Sequence, residues 1–237
     1  MTRILIVNAD DFGRSDGVNR GVIQAHEEGI VTSASLMVRY PAAANAADYG
    51  RRRPQLSLGL HVDLGEWLYE NDRWTAVYEL ERSEDEVDRQ LHAFRSLVDR
   101  DPTHLDSHQH VHREEPMRSI MLRKARQLGI PLRTFTPLVQ YCGLFYGQTG
   151  TGEPLNDAIS AEALVTILRG LPEGVTELGC HPGYADDLKS QYAAEREREV
   201  EALCDPKVKA TLAMEAIELR SFHDPWPASE CSASQRS

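Results

Sequence analysis

The 237-residue chain is short of cysteine, of uninterrupted apolar sequence and of positive charge. Its four cysteines, Cys142, Cys180, Cys204 and Cys231, stand far apart with no C-x-x-C pair. That spacing excludes a zinc knuckle and a disulfide framework and fits a reducing cytoplasm. No apolar run is long enough to cross a bilayer, and the four aliphatic residues of "RILIVNADDFG" are too few for a signal-peptide core. Lys plus Arg number 26 against 37 Asp plus Glu, a formal charge of −11. Such a surface repels a phosphate backbone, so nucleic acid is not an expected partner. No interior segment is rich enough in Pro, Gly or Ser to divide domains, and no internal repeat is evident. With 41% hydrophobic residues the chain can bury a sizeable core, expected as one domain over 1–224 with a flexible tail at 225–237.

What is present is an alternation of strand-like and helix-like segments. "RILIVNA" reads as a strand covered on both faces, and "GVNRGVIQAHEEG" as the helix that follows. Further strands are expected at "VTSASLMV", "LSLGLHVDL", "THLDS", "PLRTF", "VTELGC" and "IELRSF", with helices over 42–52, 84–100, 116–129, 160–171 and 189–216. Strands separated by helices imply parallel crossover units. About seven of them suggest an α/β fold of the incomplete (β/α) barrel type, with a doubly wound open sheet as the alternative. The stretch "YCGLFYGQTGTGEP", 141–154, reads as an irregular loop that could lie over a site. The helix "AAEREREVEAL" reads as a solvated face with i,i+4 charge pairs.

A barrel places its functional side chains at the carboxyl ends of its strands. The first strand ends in Asp10 and Asp11, the third in His61 and Asp63, the fourth in "DSHQHVH" and the sixth in "CHPGY" with His181. Asp and His are suited to zinc or another divalent ion, and a catalytic site typically takes three protein ligands. Asp11, His61 and one histidine of "HLDSHQHVH" supply such a set. If that strand stays extended, His104, Asp106, His108 and His110 share one side, so spacing alone does not select the ligand. His104 begins the strand, far from its active end; His108 is preferred, with His110 and His112 as supporting groups or substrate contacts. His26, His92 and His223 read as ordinary helix or terminal residues.

At these residues the chain resembles the YdjC-like carbohydrate deacetylases, the group also named for chitooligosaccharide deacetylase and a hopanoid-biosynthesis-associated relative. "NADDFG", "GLHVDLGE", "HLDSHQHVH" and "CHPGY" carry the resemblance, in the family's order and over nearly the whole chain. The resemblance implies a (β/α) barrel related to glycoside hydrolases and deacetylases, one divalent metal ion, Mg2+ or Zn2+, and removal of an N-acetyl group from an amino sugar. It also implies metal ligands at Asp11, His61 and a histidine of the fourth-strand motif, placed at His108, with Asp10 as base.

The residues can support that chemistry. His181 is placed to protonate a leaving nitrogen, and Arg133 to hold Asp10 ionised through a charge-assisted hydrogen bond. Asp106 belongs to the supporting groups, and Trp67 and Tyr184 offer faces for stacking a small carbohydrate. A glycoside hydrolase would instead need two carboxylates across a glycosidic bond, with Asp10, Asp63 and Asp106 as candidates. A metal-dependent phosphoesterase and a non-catalytic metal- or sugar-binding protein are the remaining rivals. Oligomeric state has no signature, although barrel enzymes often pair, and a homodimer is the expectation.

Overall fold

The computed structural model describes residues 2–188 and 190–224; the expected tail at 225–237 lies outside them. In chain order the elements are β1 (Arg3–Phe12), α1 (Asp16–Glu27), β2 (Ser33–Leu36), α2 (Ala43–Arg52), β3 (Ser57–Val62), β4 (Gly65–Glu70), β5 (Arg73–Glu79) and α3 (Glu84–Val98). They continue with β6 (Leu105–Ser107), α4 (Met117–Leu128), β7 (Val139–Cys142), α5 (Ala161–Arg169), β8 (Gly174–Cys180), α6 (Ala194–Cys204), α7 (Pro206–Met214) and β9 (Ile217–Leu219). Seven strands make one sheet, ordered β6-β3-β2-β1-β8-β7 with β9 also paired to β1. Every pairing in it is parallel, and the sheet curls into an incomplete barrel with helices outside.

The alternation of "RILIVNADDF" explains where the site forms. Leu5, Val7 and Ala9 face the helices and join the main core, whereas Ile4 and Ile6 pack inside the curl with Val139, Val175 and Phe222. Two and four residues further along that inner face stand Asn8 and Asp10, joined by a 2.8 Å hydrogen bond. The interior is therefore apolar at the amino end of the strands and polar at the carboxyl end. Leu58 and Leu60 of β3 pack outward into the main core, which turns His61 inward beside Asp106, its register partner on β6.

Three local expectations differ from the structure. "PLRTF" forms a single bridge, Leu132 to Leu105, and then turns, with Thr134 at a left-handed φ of 65°; the seventh strand is β7, at the start of the segment expected to be irregular. The helix expected over 189–216 is two helices. Pro206 cannot continue α6, and the Asp205 side chain caps α7 by accepting from the Lys207 N–H at 2.7 Å. The third is the antiparallel hairpin β4–β5, which had no counterpart among the expected elements. It turns at Asn71 and Asp72, both with positive φ (52° and 60°), as the right-handed twist of a hairpin favours.

Helix α1 approaches the segment after β8 backbone to backbone. A Cβ on Gly21 would lie 2.4 Å from the Gly183 Cα. Helix propensity alone favours Gly21→Ala by about 1 kcal/mol. The contact with backbone that cannot move aside reverses the sign, and we expect a net destabilisation of about 1–3 kcal/mol. Thermal unfolding of Gly21→Ala checks this; a raised melting temperature would show that the segment gives way freely.

Candidate active site

Strand β1 delivers two adjacent carboxylates because its last residues leave the regular pleat. Asp11 has a left-handed φ of 64°, and the register with β2 shifts between Ala9 and Phe12. The two side chains therefore do not point to opposite faces as in an ideal strand, and both line one cleft. The fourth-strand motif also departs from expectation. Extended backbone stops at Ser107, and His108–Arg113 forms a 3-10 turn in which Gln109 and His110 take φ of 48° and 54°. The alternation expected to put His104, Asp106, His108 and His110 on one side therefore stops after His108.

His108, directly after β6, comes close to the end of β1. Its Nδ1 lies 3.1 Å from Asp11 Oδ1, and His61 Nε2 lies 3.5 Å from the same oxygen. One donor atom from each of the three residues falls within 4.8 Å of the others. Asp11 Oδ1 is buried without a hydrogen-bond partner. His61 is oriented from behind: its Nδ1 pairs with Asp106 Oδ1 at 2.8 Å, directing Nε2 toward Asp11, the arrangement in which a carboxylate aligns a metal-binding imidazole. Burial opposes charge on His61, but Asp106 and Asp10 push its pKa up to about 10. Groups that hold a proton so firmly at this point suit a cation in its place. One carboxylate oxygen and two imidazole nitrogens thus fit a divalent ion.

Arg133 occupies the centre of the polar interior, with no exposed side-chain surface. It grips Asp10 with two bonds of 2.6 and 2.7 Å, Asp106 Oδ2 at 2.8 Å and Glu177 Oε1 at 2.7 Å. Burial alone would raise the pKa of Asp10, and the guanidinium overcomes it and holds the carboxylate below its usual range. Asp106 is lowered too, against its burial, by Arg133 and His61. One guanidinium does not neutralise three carboxylates, and Glu177 takes up the deficit, pushed up by burial to about 7.

His181 follows β8 and faces Asp10 across the cleft, Nε2 to Oδ2 at 3.8 Å, with its ring against Tyr146 and Tyr192. Burial is the largest influence on it and takes its pKa down to about 4. Behind it is α6, and here the expectation of a solvated face is overturned. Glu195, Arg196 and Glu199 are buried. Glu199 accepts from the His181 N–H and the Tyr192 hydroxyl, Arg196 bonds Asp11 Oδ2, and Glu195 accepts from Gln148. The signal was present in the sequence, because Arg196, Glu199, Val200 and Leu203 share one helical stripe. Sequence reasoning also missed Arg14 and Glu66, paired through two 2.7 Å bonds at the cleft wall.

The cleft has a volume of about 800 Å3 and contains Asp10, Asp11, His61, His108 and His181. Trp67, expected as a stacking surface, lines it from β4, and Gln109 fastens that strand by bonds to the Trp67 N–H and C=O at 2.9 and 2.8 Å. His110 lines it beside Tyr141, and much of the loop expected over a site, from Tyr141 to Gly152, forms one wall. Tyr184 corrects an expectation: its hydroxyl donates to Gln24 Oε1 on α1 at 2.5 Å, and its ring lies outside the cleft. His112 is buried behind the wall, Nδ1 at 2.6 Å from Ser107 Oγ. Asp63 is tied to Arg39 and Tyr78 at 2.8 and 2.7 Å, away from the cleft.

Solved structures share this architecture. The chain superposes with a TM-score of 0.74 and 26% identity on a protein from Enterococcus faecalis V583 named for cellobiose-phosphate cleavage, covering 94% of this chain and 98% of that one. A polysaccharide deacetylase from Bacillus cereus shares the fold at a TM-score of 0.55 and 11% identity, covering 94% and 93%. The fold is that of the polysaccharide deacetylase barrels. In sequence, a chitooligosaccharide deacetylase of Klebsiella pneumoniae subsp. pneumoniae is 33% identical over 94% of this chain and 100% of its own. A carbohydrate deacetylase of Geobacillus stearothermophilus is 32% identical over 94% and 98%. The YdjC-like protein family matches residues 4–214, and the chain belongs to it.

The layer beneath the site supplies a pH test. Ser35 Oγ donates to Asp106 Oδ2 at 2.7 Å and so must accept from His104 Nε2, 3.0 Å away, leaving His104 Nδ1 to accept from Thr103. The ring is neutral, its pKa taken by burial down to about 4. The unfolded chain takes up this proton near pH 6.5 and the folded chain only near 4. This contribution is intact above pH 6.5 and is lost as the pH falls from 6.5 to 4, with a slope of at most about 1.4 kcal/mol per pH unit. Urea unfolding across that interval should show a shallower slope for His104→Gln than for the parent; equal slopes would refute the buried neutral ring.

Proposed function

We propose that the chain is a metal-dependent carbohydrate deacetylase that removes the N-acetyl group of an amino sugar, a chitooligosaccharide or a related N-acetylglucosamine compound. The observation that carries the reading is the convergence of Asp11, His61 and His108 at one point, with Asp10 and His181 facing each other beside it. The curated relatives named as deacetylases support the same chemistry.

In this reading Asp11 Oδ1, His61 Nε2 and His108 Nδ1 hold the cation, with zinc or magnesium as the candidates. Bound there, a divalent ion lowers the pKa of water and polarises an acyl oxygen. Asp10, kept ionised by Arg133, accepts the proton of the attacking water. His181 is neutral at pH 7 and must gain a proton before it can give one to the departing amine. Asp10, 3.8 Å from its Nε2, is the group that has just received one, so the proton taken from water ends on the leaving nitrogen. Tyr141, Tyr146 and Trp67 on the cleft walls offer faces to the sugar rings.

The geometry weighs against the rivals. Asp63 and Asp106 are fully buried, which leaves Asp10 without a partner carboxylate from the set considered for a glycoside hydrolase. The other metal-capable cluster among the described residues, Asp10, His61 and Asp106, shares His61 with the first and is already bridged by Arg133. A two-metal phosphoesterase centre gains no support from it.

Acetate release from N-acetylglucosamine and short chitooligosaccharides, with chelated protein re-supplied with single divalent ions, tests the reading. Acetate should appear only with metal. Asp10→Asn should retain metal and lose about 10²–10⁴ in turnover. Release of reducing ends or phosphate in place of acetate, or full activity in Asp10→Asn, would contradict it.

A further inference from the structure

Arg196 has a fully buried side chain and had no role in the sequence reading. It reaches from α6 into the site and spends its donors on three acceptors. NH2 bonds Asp11 Oδ2, Nε bonds the Tyr192 carbonyl at 2.9 Å and NH1 the His181 carbonyl at 3.4 Å. Arg14 NH1 stands 3.6 Å from the same Asp11 oxygen. Asp11 Oδ2 is thus occupied by guanidinium groups, while Oδ1, directed at His61 and His108, has no hydrogen-bond partner. The carboxylate has one free oxygen, and its plane is fixed by a side chain anchored at two other points.

We infer that Arg196 is a positioning residue for the metal centre: it fixes Asp11 as a one-oxygen ligand and ties that ligand to the backbone of His181. This rests on the metal-site reading above. It makes an unusual demand, because a positive charge beside a cation site weakens binding by simple Coulomb repulsion. If charge is the main effect of Arg196, its removal tightens metal binding; if orientation is, removal loosens it. Groups that orient metal ligands typically account for about 10–100-fold in affinity. Lysine keeps the charge but is a point donor on a flexible stem and cannot reproduce the three-way fork.

Isothermal titration of chelated protein with Zn2+ at neutral pH separates these cases without any assay of turnover. Arg196→Met and Arg196→Lys, each checked for native far-ultraviolet circular dichroism, should both bind Zn2+ about 10–100-fold more weakly than the parent. Unchanged or tighter binding in Arg196→Met would overturn the inference, as would parental affinity in Arg196→Lys, which alone decides the question if the methionine variant does not fold. Absence of Zn2+ binding by the parent would instead remove the metal-site reading itself, and this inference with it.

Discussion

A guanidinium enclosed among three carboxylates is the interaction on which the rest of this site depends. Arg133 has no exposed side-chain surface, and neither does its partner Asp106. Such a cluster is expensive to desolvate, and removing one partner of a buried pair typically costs about 3–5 kcal/mol because a charge is left uncompensated. The arrangement is better understood as specification than as stabilisation. Through Asp10 it fixes the charge of the proposed base. Through Asp106 it fixes the ring of His61, and so the direction of the nitrogen that faces Asp11.

The barrel makes room for that cluster by grading its interior. Aliphatic side chains of β1, β7 and β8 fill the amino end with Phe222, and small or polar groups occupy the level above. Ser35 links Asn8, His104 and Asp106 through bonds of 2.8, 3.0 and 2.7 Å, which tie the polar layer together from below, with Asn8 Oδ1 left without a partner. Above it the chain leaves regular geometry at the positions that carry chemistry. Asp11, Gln109 and His110 all adopt positive φ, a conformation that persists in non-glycine residues when the surroundings over-determine it. Arg196 on Asp11 and the paired bonds of Gln109 to β4 are those surroundings.

Much of this was legible in the sequence. The parallel alternation and the gathering of Asp and His at strand ends follow from residue type and from position along a strand, whereas Arg133 meets Asp10 from a bridge and turn where a strand was expected. The preference for His108 rested on its place at the strand end, and the structure puts it there: β6 ends at Ser107 and His108 follows directly, Nδ1 3.1 Å from Asp11 Oδ1, with the left-handed turn coming only after it, at Gln109 and His110. Arg196 and Glu199 were not legible because a charged helix ordinarily faces water, and only their place on the stripe of Val200 and Leu203 argued otherwise. Tyr184 misled because its position after His181 and Pro182 suggests proximity, whereas the chain turns at Gly183 onto α1. The β4–β5 hairpin was hidden by a turn, Asn71-Asp72, without the glycine that marks most such turns.

In this reading Asp11, His61 and His108 form one metal centre. Crystals of the zinc-loaded protein, measured on both sides of the zinc absorption edge, test it most directly. One anomalous peak should appear, bounded by Asp11 Oδ1, His61 Nε2 and His108 Nδ1, with Arg196 still on Asp11 Oδ2. A peak held instead by His110 or His112, or none among these side chains, would contradict it.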